Sequence, residues 1–449
     1  MNRIIFTLLV ALLVLAPLPL GSNREWSWTL CAFATAVMAI LWSIRALARP
    51  ADGSVTLPAT AYVPFLLVCL WVMVQVSQHV PADWHHPVWR MAGEALGVEL
   101  TGSISLARED SLVALLRLLS YGLVFFVSLQ LCADRRRAAV ALQVIALAGL
   151  AYALFGLAAY WGDLEPRLWF RDDLPGQVVR GPFVNRNHFA TYLGLCVLCA
   201  LAGTYRGLAL RRNPVYSLPT GWRDEIEHFI LRAWKPLAAL LLMVSALILT
   251  HSRAGFGAFV VAALVLTLAV TYRQKFAGPR SLAAITAAFA VTITAFVLTS
   301  EILLQRMDQL GLDAPGRLNA YTLTLQGIDD NPWLGFGYGT FADSFRLYRD
   351  GSLATHVDRA HNTYLENLFE LGWPAAMLLF FAIARLAVMC LGGLRRRGRD
   401  WIYPATGLAA TALVATHSLF DFSLQIPAIA ITYAVIMGVA CAQSMPSRQ

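Results

Sequence analysis

Long apolar runs alternate with short polar loops along this chain. Twelve apolar blocks fall at about 4–21, 26–45, 58–79, 111–132, 138–161, 187–206, 232–250, 253–272, 281–300, 362–391, 403–420 and 427–443. Each is close to the roughly 20 residues that a helix needs to cross a hydrocarbon core. The apolar residues come as continuous blocks and not as amphipathic stripes. The pattern therefore predicts an all-α, polytopic membrane protein with about 12 transmembrane helices. Three polar segments on one side are long, at about 80–110, 162–186 and 301–361, and the last lies between helices 9 and 10. Irregular backbone of that length beside a membrane is more often functional than connective. Repeats, heptads and low-complexity tails are not evident.

Composition removes the soluble alternatives. The 449 residues are 58% hydrophobic and 14% charged, against about a quarter charged in soluble domains. The net charge of +8 need not mean nucleic acid, because the excess lies in short loops between apolar blocks. With the amino terminus inside, the inner loops and termini hold 20 of the 35 basic residues, including Arg135, Arg136, Arg137, Arg395, Arg396, Arg397 and Arg399. Six acids share that side. This bias orients the chain and leaves both termini in the cytoplasm. The first block follows Met1-Asn2-Arg3 and reads as an uncleaved helix, since Pro17 and Pro19 disturb a signal-peptide cleavage pattern. Seven cysteines, nearly all inside apolar blocks, read as buried thiols.

The polar residues that interrupt this pattern gather near one face. RGPFVNRNHF (180–189) leads into the sixth block. A helix start offers free N–H groups and partial positive charge, which bind anions, and Arg180 and Arg186 add to it beside Asn187 and His188. An interfacial turn with Asn as a helix cap is the plainer reading. Arg253 lies in THSRAG (250–255), between two blocks with almost no room for a loop. It must sit at or just inside the outer interface, where a charge costs less than the ~2.5–3.5 kcal/mol of the bilayer centre. Ser252, Ala254, Gly255 and Gly257 give a bulky anion room, although a snorkelling arginine also explains the position.

In the long loop, DAPGR (313–317) opens a predicted helix to about Ile328, with Leu318, Tyr321, Leu325 and Ile328 as its apolar stripe. Arg317 falls in the first turn, where the dipole disfavours a cation, so an anion is the expected partner unless the side chain is simply solvated. GFGYG (335–339) lacks the Lys-Ser/Thr of a phosphate loop and reads as a flexible, aromatic-flanked turn around a sugar or lipid headgroup. His361 ends the loop. Asn362, Glu366 and Glu370 then recur every four residues as a polar stripe, which is expensive in a membrane unless it faces a polar cavity. Histidine suits general-base work; a helix-end cap is the alternative. His417, Asp421 and Gln425 form a second polar run that either lines the same cavity or pairs only with itself. The sequence has no HExxH, and its Asp-Asp pairs are weak metal signals, so no metal site is expected.

Five segments resemble the O-antigen ligase and polymerase-like membrane family: GPFVNRNHFATYLG, THSRAGFGAF, GRLNAYTLTLQGIDDNPWLGFGYGTF, HNTYLENLFELGWPA and HSLFDFSLQIPA. They divide the chain into 1–174, helices 1–5 with their loops, and 175–449, an O-antigen ligase-like region with helices 6–12. The resemblance implies a GT-C-like, metal-independent glycosyltransferase without cofactor, in a bacterial inner membrane and acting on the periplasmic face. The donor it implies is a glycan on undecaprenyl pyrophosphate. The acceptor is a hydroxyl on lipid A core or another glycan. Two Arg and one His are essential in the family's ligases, and by motif they fall on Arg253, Arg317 and His361. Arg180, Arg186, Asn187, His188, Asn362, Glu366 and Asp421 are the candidate substrate-binding residues beside them. The ligase reading leads. The alternatives are an O-antigen or exopolysaccharide polymerase, a protein O-oligosaccharyltransferase and, in a different class, a lipid-linked glycan transporter. A transporter places its polar groups near the midplane in paired repeats, whereas here they gather at one face.

Overall fold

A computed structural model describes residues 1–49, 54–162, 178–210, 222–274, 314–351, 353 and 357–445, with the side chains of 208–233, 274 and 314–317 excepted. Among the described residues the regular elements are all helices. They are α1 (Asn2–Leu15), α2 (Glu25–Ala48), α3 (Ala59–Val76), α4 (Pro87–Leu96), α5 (Arg108–Leu131), α6 (Arg135–Trp161), α7 (Arg186–Leu210), α8 (Trp222–Leu249) and α9 (Arg253–Gln274). After these come α10 (Ala314–Asp330), the single turn α11 (Phe341–Ser344), α12 (Thr363–Arg396), α13 (Ile402–His417) and α14 (Pro427–Ser444). Eight of the described helices, α2, α3, α5, α6, α7, α9, α12 and α14, are long and apolar enough to cross a membrane. The shorter helices α1 and Trp234–Leu249 are also apolar. The block at 281–300 lies outside the described residues.

The last helix is the axis of the bundle. Every residue from Pro427 to Ser444 is buried, as expected of a helix that is apolar all round. Small residues let its neighbours close on it. A side chain at Gly438 would meet Ser128 of α5, and one at Gly407 of α13 would meet Ala440, both closer than any real contact. The outward faces of the surrounding helices carry exposed Phe33, Leu47, Leu70, Leu268 and Phe381. That surface needs lipid as its solvent.

Two helices end differently from their apolar blocks. α1 stops at Leu15, and Pro17 and Pro19 prevent its continuation. The chain turns through Leu20, Gly21 and Ser22, all at positive φ, and the Ser22 hydroxyl donates to the Ala16 carbonyl at 2.7 Å. α12 kinks at Gly372, whose φ is 73° and ψ 165°, two residues before Pro374. Glu366 and Glu370 precede that kink. The polar stripe therefore sits on the short segment of α12 before the kink.

α10, the loop after it and the start of α12 pack into a cap with its own apolar core of Phe336, Phe341, Phe345 and Phe369, with Ala320, Leu323 and Ile328 from α10. The buried face of α10 differs from the expected stripe. Ile328 is on it, but Leu318 and Leu325 are exposed, because Gly327 lets the Phe369 ring approach the next face round the helix. GFGYG is also not a flexible turn. Gly335, Gly337 and Gly339 have φ of 70°, 106° and 83°, values glycine alone reaches without strain. Added side chains there would strike the Glu370 carbonyl, Ser105 and Ala114. Buried Gln75 of α3 fixes the same loop. It donates to the Leu334 carbonyl at 2.7 Å and the Glu370 carbonyl at 2.9 Å, and accepts from the Tyr338 N–H at 3.2 Å. The segment is a bolt between α3, α5 and α12.

Basic residues collect at the opposite end of the bundle. Arg135 pairs with buried Asp400 at 2.9 Å. Arg273 donates to the carbonyls of Arg397 and Gly398, and Arg397 donates to the Gln443 carbonyl at 2.8 Å.

Candidate active site

At the end of the bundle opposite the basic residues, helix starts and helix ends converge on one carboxylate. Asp421 lies in the turn between α13 and α14 and is fully buried. Its Oδ1 is 3.5 Å from His361 Nδ1, and its Oδ2 is 3.8 Å from His188 Nε2. Burial alone would raise its pKa. The neighbouring imidazoles of His361, His188 and His417 outweigh that and hold the carboxyl at about 2. Asp421 is thus an ionised acceptor. It favours the His361 tautomer with its proton on Nδ1, which leaves Nε2 as the basic nitrogen.

His361 is held in an unusual backbone conformation. Its φ is 51°, a left-handed value that costs a non-glycine residue of order 1–3 kcal/mol and persists only where the surroundings over-determine it. They do so here. Its carbonyl accepts the Tyr321 hydroxyl from α10 at 3.1 Å. The next residues tie to the α13–α14 turn: the Thr363 N–H donates to the Ser418 carbonyl, and the Thr363 hydroxyl donates to the Asp421 carbonyl, both at 2.9 Å. The His361 side chain remains about one-third exposed.

Glu366 and Asn362 support this turn. Asn362 caps α12, its side-chain oxygen accepting from the N–H groups of Tyr364 and Leu365. One Glu366 oxygen takes Arg359 at 2.9 Å and Gln425 at 2.9 Å, and the other takes the Ala360 N–H at 3.2 Å. Glu370 accepts the Phe341 N–H at 2.9 Å. The two carboxylates are therefore satisfied by loop groups, where the sequence pattern had them facing a cavity. Burial pulls the Arg359 guanidinium down in pKa, but Glu366 and Glu370 more than offset it and keep it charged. Arg359 also lies over the Phe422 ring, 5.9 Å from its centroid. The same ring packs edge-on against His188 at 4.8 Å and His361 at 5.2 Å. Sequence reasoning gave neither Arg359 nor Phe422 a role. Arg359 lies two residues before His361 and seven before Glu366, outside α12, so no helical spacing points to the pair; nothing in the sequence singles out Phe422.

The second polar run divides its duties. Asp421 serves His361 and His188. His417 Nδ1 meets the hydroxyls of Thr191 at 2.7 Å and Ser423 at 3.0 Å, and Gln425 serves Glu366. His188 is 4% exposed, so it stands behind the site and not at its surface.

The arginines head the neighbouring helices at this same end. Asn185 caps α7, accepting the Asn187 N–H at 2.8 Å, and Arg186 is the first residue of that helix. Arg180 donates to the Val184 carbonyl at 3.4 Å. Burial and the charge of Arg186 both lower its pKa. Arg253 is the first residue of α9. The turn before it passes through His251 at φ 52°, and Ser252 caps the helix by accepting the Gly255 N–H at 3.2 Å. Gly255 seats α9 on Ala190 of α7, so that glycine serves helix packing. Gly257 faces open space. Arg317 lies in the first turn of α10, with its side chain outside the described residues. Among the described residues, no cluster of three or more His, Cys, Asp or Glu has metal-binding geometry.

Residues 238–380 match the family model described as O-Antigen ligase. The matched stretch contains Arg253, Arg317, His361, Asn362 and Glu366. Arg180 to His188 and Asp421 fall outside it. No curated protein sequence matches the chain. The family match spans about a third of the chain, and over this stretch, which includes α9, α10 and the start of α12, the protein is similar to O-antigen ligases.

Proposed function

We propose that this protein transfers a glycan from a lipid-linked pyrophosphate, of the undecaprenyl type, to an acceptor hydroxyl at the outer face of the membrane, as an O-antigen ligase does. The observation that carries the reading is the His361–Asp421 pair. A buried, ionised carboxylate orients a partly exposed imidazole at the end of the bundle where arginines open two helices.

His361 Nε2 takes the proton of the acceptor hydroxyl as its oxygen attacks the anomeric carbon. The bond from that carbon to the pyrophosphate oxygen breaks, and the electron pair stays on the diphosphate. Negative charge thus grows on the leaving group. Fixed guanidinium groups in a partly dry site stabilise it more than water does, because they need no reorganisation at the moment of reaction. Arg253 and Arg317 take that role, with Arg180 and Arg186 as further anchors for the diphosphate. Asp421 stabilises the imidazolium that forms on His361, as the carboxylate of a triad does. His188, Asn362 and Glu366 hold the turn that presents these groups.

A reconstituted assay with lipid-linked donor tests this. Arg253→Ala and Arg317→Ala are expected to abolish transfer, and normal product from the double variant overturns the assignment. Donor turnover in detergent, without a gradient, is expected of a transferase and not of a transporter.

A further inference from the structure

A second group of polar side chains lies in the membrane-facing wall. α2, α5 and α14 form a shallow open groove lined by Trp28, Thr35, Arg117, Ser120, Tyr121 and Ile431 among others. Arg117 interrupts an otherwise apolar run of α5. Its guanidinium lies over the Trp28 ring, 4.7 Å from the centroid. Among the described residues no hydrogen-bond partner lies in reach of Arg117 Nε, the Tyr121 hydroxyl or the Trp28 indole nitrogen. Three donors from two helices thus meet in one groove without an acceptor, although buried donors are normally satisfied. A merely snorkelling arginine would not bring a tyrosine and an indole with it.

Position identifies the kind of acceptor. Arg117 is nine residues from the outer end of α5, about 13 Å along the axis. Helical side chains lean toward the helix N-terminus, so its guanidinium reaches toward the outer boundary. The flanking surfaces, Leu30 and Phe33 of α2 and Leu112 and Leu116 of α5, are exposed and lipid-facing. The groove is therefore entered from the bilayer. α7, α9 and α12 contribute nothing to its lining, although α14 does and Arg117 lies near enough to Arg359 for their charges to interact. We infer that this groove binds the phosphate headgroup of an anionic outer-leaflet phospholipid, with Arg117 as the charge partner and Tyr121 and Trp28 as neutral donors. The inference does not depend on the catalytic reading.

The test uses the full chain purified in mild detergent. Native mass spectrometry in equimolar phosphatidylglycerol and phosphatidylethanolamine should show phosphatidylglycerol retained. Added phosphatidylglycerol should raise the Tm of the wild type, and Arg117→Gln should weaken that retention about tenfold. Equal retention of the two lipids by the wild type overturns the proposal whether or not the variant folds. So does undiminished retention by Arg117→Gln. A retained mass belonging to a polyprenyl pyrophosphate reassigns the groove to the donor, and an equal gain from inorganic phosphate rules out a lipid ligand; either result overturns the proposal.

Discussion

At the scale of single residues, His361 carries two demands that can be separated. Its left-handed backbone conformation is one that Asn tolerates far better than most residues, whereas general-base capacity belongs to the imidazole. His361→Asn should therefore leave the Tm of the purified protein nearly unchanged while transfer falls by roughly 10²–10⁴. A parallel loss of Tm and activity would make the residue structural. Asp421 gives a second separation, read against pH. Its folded-state pKa of about 2 lies below the ordinary ~3.9 of an aspartate. A depressed carboxylate contributes stability that is fully present above the ordinary value and is lost as pH falls through the folded one. The Tm deficit of Asp421→Asn should be full at pH 7, shrink from about pH 4 downward and vanish near pH 2. A deficit constant across that range would show that the ionised form is not what stabilises the turn.

At the scale of elements, the outer cap is positioned by one side chain that touches no candidate catalytic group. Gln75 lies in the last turn of α3, is fully buried, and makes three hydrogen bonds to the Leu334–Tyr338 loop and α12. Gln75→Leu leaves buried backbone groups unpaired at a cost of about 1–3 kcal/mol. The Tm should drop, the 331–360 segment should become sensitive to trypsin, and transfer should fall with it. Intact transfer beside a loosened loop would show that the cap does not position the site. This dependence was invisible in the sequence, where Gln75 is one polar residue in an apolar block. Much else at this scale could be read. The positions of α7, α9 and α12 and the helix opened by DAPGR follow from block lengths and four-residue spacings, whereas the meeting of His361 with Asp421 does not, because the run that holds Asp421 could equally have paired only with itself. What could not be read was which partner satisfies each polar group. Glu366 and Glu370 carry the periodicity of a cavity lining, yet Gly372 breaks the helix below them and turns them toward loop N–H groups. α14 failed to stand out for a related reason: a lipid-facing helix and a central one are both apolar, and only tertiary packing distinguishes them.

At the scale of the whole molecule, two ends of opposite character set the orientation. One end holds the His361–Asp421 pair and the arginine-headed helices. The other holds Arg135 with Asp400, Arg273, Arg395 and Arg397. Basic clusters stay on the cytoplasmic side, so the site end should face outward, where a lipid-linked glycan is presented. Exposed glycines at each end make this measurable. Gly351 lies in the outer loop and Gly398 in the basic turn, and both have open space around them. Of the seven native cysteines six are buried and Cys31 is partly so, which keeps background labelling low. In intact cells with a permeable outer membrane, a membrane-impermeant maleimide should label Gly351→Cys and leave Gly398→Cys untouched until the inner membrane is opened. The reverse pattern would put His361 in the cytoplasm. Acceptors at the outer leaflet would then be beyond its reach, and the transfer reading would fail even if every side chain kept the geometry described above.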